Sequence, residues 1–268
     1  MLSYYAAGDP DAPMVALVHG VCDSGVAWVD LINRLADRYL VIAFDSLGHG
    51  TSRRLTDEEL RQPGEASAHQ LERAIEHLRT LYGKTPIVIA HSMGAAISSY
   101  LSVSRPDLIR GLFLEDPAWL NEEQAAGYVE RAPEQVATSA HLWRRDAAGT
   151  VAGNVDQRPG WDAASHYGWA FGKALVDPRL LATGIVSFSP PWRDIARAIT
   201  VPTLVVTSDT QEVLVGTQGV KAIAELANPR IETAVIGGTG HGVRLSKPEE
   251  YQRVLEEWLT QFGTTARG

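Results

Sequence analysis

The chain has one cysteine, Cys22, among 268 residues. That excludes an intramolecular disulfide framework and a Cys/His cluster for structural zinc. Positive charge is also scarce. The sum 24 − 32 leaves a net charge of −8, and no Lys/Arg run interrupts it. A nucleic-acid partner is therefore not expected, because phosphate binding needs a basic footprint. No apolar run approaches the roughly 20 residues of a membrane helix. The opening stretch MLSYYAAGDPDAP has neither a basic nor an apolar region of the signal-peptide kind. The expectation is a cytoplasmic protein with no membrane partner, acting on a small molecule. Hydrophobic residues make up 45% of the chain, enough for a substantial core, so whole-chain disorder is excluded.

Short apolar runs alternate with helical periodicity. Met14–Val18, Leu40–Phe44, Ile87–Ala90 and Gly111–Leu114 read as buried strands. Between them, Val26–Ala36, 67–82 and Gly94–Val103 have helical spacing. This rhythm predicts a mostly parallel sheet with helices on both faces. It returns near the end with strands at Pro202–Thr207 and Ile231–Ile236 and a helix at Val215–Leu226. A last helix starts at Pro248, with Tyr251, Val254, Leu255, Trp258, Leu259 and Phe262 on one stripe. Residues 117–192 break the pattern. They hold 9 of the 20 aromatics in 76 residues, about twice the density elsewhere, and no strand-like run. A helical lid over a pocket is expected there. Most of its aromatics should pack the lid onto the body.

Ser92 lies in IVIAHSMGAA, between a strand and a helix. The nucleophile-elbow pattern is G-x-S-x-G, and here it reads A-H-S-M-G, with Ala90 in the first glycine position. A serine hydroxyl needs a base to become a nucleophile near neutral pH. His241 is the candidate, in a glycine-rich loop after the last strand. A tetrahedral oxyanion needs donors already aimed at it. The Met93 N–H follows the nucleophile, and the Val21 N–H lies in the loop after the first core strand. His19, His49 and His91 are read as structural. Cys22, Trp28, Trp119 and Trp143 are candidates for the substrate pocket.

Four motifs in this order resemble the α/β-hydrolase superfamily: His19-Gly20, DSLGHGTS at Asp45–Ser52, HSMG at the elbow, and GHG around His241. The resemblance implies the α/β-hydrolase fold, with a core of 1–116 and 193–268. A helical cap of 117–192 would be inserted after the strand ending near Leu114. It also implies a third triad member. The family's usual acid position, after PTLVVT, falls on Gln211, which cannot carry the charge. Some relatives, such as those resembling haloalkane dehalogenases and some lactone hydrolases, place the acid after the strand that follows the elbow helix. Glu115 in GLFLEDPAWL is preferred on that basis. Asp209 is the alternative, and Asp116 and Glu212 stand behind both. The turn before Pro117 is the preferred role for Asp116.

The expected function is a serine hydrolase, free of metal and organic cofactor, cleaving an ester or lactone of a small apolar or aromatic molecule. The same apparatus serves C–C bond hydrolases and cofactor-free haloperoxidase- or perhydrolase-like enzymes, which are the alternatives among enzymes. Dehalogenation and epoxide hydrolysis are disfavoured, since they need an aspartate at position 92. A non-catalytic small-ligand receptor on this fold is the alternative from another class.

Overall fold

The computed structural model describes residues 1–263, with side chains for all of these but 138–145. Five apolar runs form the middle of one seven-stranded sheet: β2 (Met14–Val18), β3 (Leu40–Phe44), β4 (Ile87–His91), β5 (Gly111–Glu115) and β6 (Thr203–Thr207). At the edges lie β1 (Tyr4–Ala7) and β7 (Ile231–Val235), giving the order β1-β3-β2-β4-β5-β6-β7. All pairs are parallel except β1 with β3. The strand β1 was not expected, because its four residues carry no clear alternation. Its pairing with β3 holds it at the edge.

Side chains alternate between two apolar layers. Ala16, Val18, Ile42, Phe44, Val88, Ala90, Leu112 and Leu114 join one face. There they meet α2 (Pro63–Tyr82) and α3 (Ser92–Ser104). Val15, Leu17, Val41, Ile87, Ile89 and Phe113 join the other. That layer is closed by α1 (Val29–Leu35) and α11 (Pro248–Leu259). The predicted stripe of the last helix is the buried one, with Tyr251 and Trp258 edge-on to Phe113 at 5.3 and 5.6 Å. Leu255 and Leu259 are fully buried, each stabilising the fold by roughly 1.5–3 kcal/mol.

Between β5 and β6 the chain runs through helices only: α4 (Glu122–Arg145), α5 (Ala147–Gln157), α6 (Ala163–Ala174), α7 (Pro178–Thr183) and α8 (Trp192–Ala198). Two glycines let α6 rest on the loop after β2. A Cβ at Gly168 would lie 3.0 Å from the Ala27 Cα, and one at Gly172 2.6 Å from the Asp23 Cα. The loop after β2 is thus covered by the helical stretch. Two further α-helices are α9 (Gly216–Glu225) and α10 (Val243–Ser246). Among the described residues no helix is long and apolar enough to cross a membrane.

Candidate active site

Parallel strands deliver their carboxyl ends to one edge, and Ser92, Asp116 and His241 all follow strands there. Ser92 is the first residue of α3, directly after β4, with φ +53°. Such a conformation is strained for a residue with a side chain. The turn closes because Gly94 has no Cβ, which would otherwise sit 2.4 Å from the His19 carbonyl oxygen and 2.5 Å from that of Val18. The alanine at position 90 is harmless, because it is a core-facing residue of β4. His241 lies in the loop between β7 and α10. Its ring centroid is 4.5 Å from that of His91, the residue before Ser92.

The Nδ1 of His241 pairs with Asp116 Oδ2 at 2.5 Å. Asp116 is fully buried, with φ +38°, one residue past the end of β5. Its carboxylate accepts three further hydrogen bonds. They come from the Thr207 hydroxyl at 2.8 Å, the Leu214 N–H at 2.8 Å and the Val215 N–H at 3.0 Å. The β4–β5 register sets His91 against Glu115. The next residues on each strand, Ser92 and Asp116, therefore leave the sheet at the same height.

The expectation for Glu115 is corrected here. As the last residue of β5, its side chain goes to the opposite face from Leu114. It accepts the Arg244 N–H at 2.8 Å and lies 3.9 Å from the Arg244 guanidinium. That guanidinium pairs with Asp30 and lies 4.4 Å over the Trp28 ring. Burial pushes the Glu115 carboxyl up to about 7, against the pull of Arg244. Asp209 also misses His241. It is exposed and accepts the Gly238 N–H at 2.7 Å, which holds its carboxyl below the usual range. Glu212 is exposed beside the site and lines the same cavity as His241.

The expected oxyanion loop lies over the elbow. A Cβ at Gly20 would meet the Ser92 Cβ at 3.0 Å. Buried histidines brace this loop. His19 accepts the Ser46 N–H at 2.9 Å and pairs through Nδ1 with the Gly20 carbonyl at 2.7 Å. His49 accepts the Cys22 N–H at 3.3 Å. Burial pushes His19 down to about 4 and His49 down to about 3, so both stay neutral and can accept these bonds. Asp45 accepts from the Gly25 N–H and from Thr51, tying DSLGHGTS to the same loop. His91 donates from Nε2 to the His241 carbonyl at 3.1 Å. Burial, then the neighbouring His241, hold its pKa well below the ordinary value. Met93 is buried at the start of α3. Among the described residues, three of the four non-glycine residues with positive φ are Cys22, Ser92 and Asp116. Strain is thus gathered at three residues that follow strands at the sheet edge carrying His241.

A cavity of about 500 Å³ is lined by Val21, Cys22, His91 and His241, with Trp161 and Trp169 from the helical stretch. A second, of about 780 Å³, reaches His241 past Tyr128 and Leu214. Of the four expected pocket residues, Cys22 lines the first cavity. Trp28 does not; it is core, under Arg244. Trp119 stacks on Trp192 at 5.4 Å and lines a separate cavity lacking His241. The side chain of Trp143 lies outside the described residues. Trp161 and Trp169 were not singled out, since aromatic density identified the region but not which rings face inward.

Residues 13–248 match the family model for the alpha/beta hydrolase fold. The chain is 25% identical over 269 residues to the (E)-2-((N-methylformamido)methylene)succinate hydrolase of Acinetobacter baylyi, covering 96% of this chain and 93% of that one. Solved structures resemble it in fold. One is an E-2-(acetamidomethylene)succinate hydrolase, with TM-score 0.76 and 20% identity over 97% of this chain and 95% of that one. Another is the enol-lactonase of Burkholderia xenovorans, with TM-score 0.72 and 17% identity over 97% and 96%.

Proposed function

The chain belongs to the α/β-hydrolase family, and from that premise we propose a serine hydrolase that cleaves a carboxylic ester or lactone of a small molecule through an acyl-enzyme. The observation that carries this reading is the His241–Asp116 bond of 2.5 Å, beside a serine held at φ +53° on a strand–helix turn. Asp116 fixes the proton on Nδ1 of His241, which leaves Nε2 free to accept. The Ser92 hydroxyl attacks the carbonyl carbon and passes its proton to Nε2. The Val21 and Met93 N–H groups would hold the oxyanion. Collapse of the tetrahedral species breaks the bond to the leaving oxygen, which takes the proton from His241. Water then repeats the sequence on the acyl-enzyme, regenerating Ser92 and releasing the acid. The helical stretch 117–192 acts as the lid in this reading, with Trp161 and Trp169 beside the bound molecule.

The test is hydrolysis of p-nitrophenyl esters, aromatic lactones and an N-acyl enamine by wild type and Ser92→Ala. The enamine is included because the Acinetobacter relative is named for a formamido substrate. Labelling by a fluorophosphonate probe runs alongside. Turnover and labelling that vanish in the variant support the reading. Turnover that survives in Ser92→Ala would sink it.

A further inference from the structure

The cavity beside His241 also holds two cations that the mechanism does not use, Arg158 and Lys173. Arg158 follows α5. Its Nη1 donates to the Asn154 Oδ1 at 2.6 Å and to the Gln157 Oε1 at 3.3 Å. Asn154 is itself buried, and its amide bonds the buried His166 at 2.8 Å. The His166 ring stacks on Trp161. The guanidinium lies 5.3 Å from the Trp161 centroid and 5.8 Å from that of Trp169. Lys173 places its Nζ 4.6 Å over Trp169.

Arg158 is therefore held in place before any ligand arrives. Its acceptors are neutral amides, which spend one of its three nitrogens. Among the described residues, no carboxylate comes within 4 Å of Arg158 or Lys173. Two acids line the same cavity, Asp23 and Glu212. Burial pushes Asp23 up to about 6, while Lys173 draws it down. Glu212 is exposed. A half-buried guanidinium without a counter-ion, positioned by a buried amide and flanked by indoles, suits a planar carboxylate that accepts two N–H groups. Its indole contacts favour the cation over a neutral side chain.

We propose that Arg158, aided by Lys173, binds a carboxylate of the substrate, so that this site hydrolyses anionic rather than neutral esters. The proposal rests on the serine hydrolase reading and replaces the small apolar or aromatic molecule expected from the sequence with an anionic one. A substrate would set its scissile carbonyl at Ser92 and its carboxylate at Arg158.

The test compares p-nitrophenyl monoesters of four- to six-carbon dicarboxylic acids with neutral p-nitrophenyl esters of equal length. Wild type, Arg158→Gln and Arg158→Lys are run on both. A charge-assisted hydrogen bond corresponds to about 10- to 100-fold in binding. Wild type is expected to prefer the best anionic ester by that factor in kcat/KM. The preference should collapse in Arg158→Gln and recover in part in Arg158→Lys. An equal preference in all three proteins overturns the proposal, as does a wild type that favours the neutral series. Binding is read separately in the Ser92→Ala protein, from tryptophan fluorescence on titration with adipate and with adipamide. If no ester, lactone or enamine of either panel is turned over, the hydrolase reading fails, and this titration still decides the subsite. Adipate binding that weakens at least about 10-fold on adding Arg158→Gln sustains it. No binding, or equal binding of adipate and adipamide, overturns it.

Discussion

Replacing Asp116 by asparagine keeps the shape of the side chain and reverses one half of its hydrogen bonding. Every group on the carboxylate is a donor: Thr207 and Val215 on Oδ1, Leu214 and His241 on Oδ2. An amide offers one acceptor oxygen. If that oxygen keeps Thr207 and Val215, the NH2 faces His241 and the Leu214 N–H. His241 must then accept at Nδ1 and carry its proton on Nε2, where it can no longer take one from Ser92. The same tautomer error in a serine protease lowers kcat by about 10⁴, which is about 5.4 kcal/mol of barrier. The displaced Leu214 N–H adds a structural cost of about 1–3 kcal/mol for an unmet buried group. The assay is kcat on the best ester of the panel, with the rate of fluorophosphonate labelling as a second readout. Asp116→Asn should lose about three to four orders of magnitude in kcat while remaining folded. Asp209→Asn should stay within about tenfold of wild type. Near-normal turnover in Asp116→Asn, with Asp209→Asn or Glu115→Gln inactive, would refute the assignment of the acid.

Glu115→Gln tests the buried cluster with Arg244. Burial pushes the native carboxyl up to about 7 from an ordinary 4.5, so the folded state binds the proton more tightly and wild-type stability falls as pH rises through that window. The variant lacks this titration and should show a flatter denaturation midpoint from pH 4.5 to 7; parallel curves would contradict it. Gly94→Ala should destabilise by about 1–3 kcal/mol, because its methyl meets two backbone carbonyls of β2 and the following loop rather than a movable side chain. A urea midpoint equal to wild type would show that the elbow has room the structure denies.

Much of the fold was legible because parallel strands buried on both faces announce themselves as unbroken apolar runs. The stripe from Tyr251 to Leu259 was equally plain, since one helix face meets one sheet face. Ser92 and His241 could be placed because each follows a strand in a glycine-containing turn, and the chain order puts those turns on one sheet edge. The acid could not be chosen this way. Glu115 and Asp116 are neighbours of the same chemical type, and either could follow a strand. The alternation of β5 and the left-handed turn at Asp116 send one carboxylate to Arg244 and the other to His241. Asp116 does sit in the turn before Pro117, and from there its carboxylate also bonds His241.

The amino-acid sequence by itself determined the layered α/β core, the order of its motifs and the sites of the serine and histidine. These depend on local periodicity and on what a strand–turn–helix junction can accommodate. Only the tertiary structure decided which carboxylate reaches His241, that Trp28 is core, and that Arg158 shares a cavity with the histidine. Those facts depend on strand register and on how α5 and α6 lie across the sheet edge, and residues far apart in the chain set both.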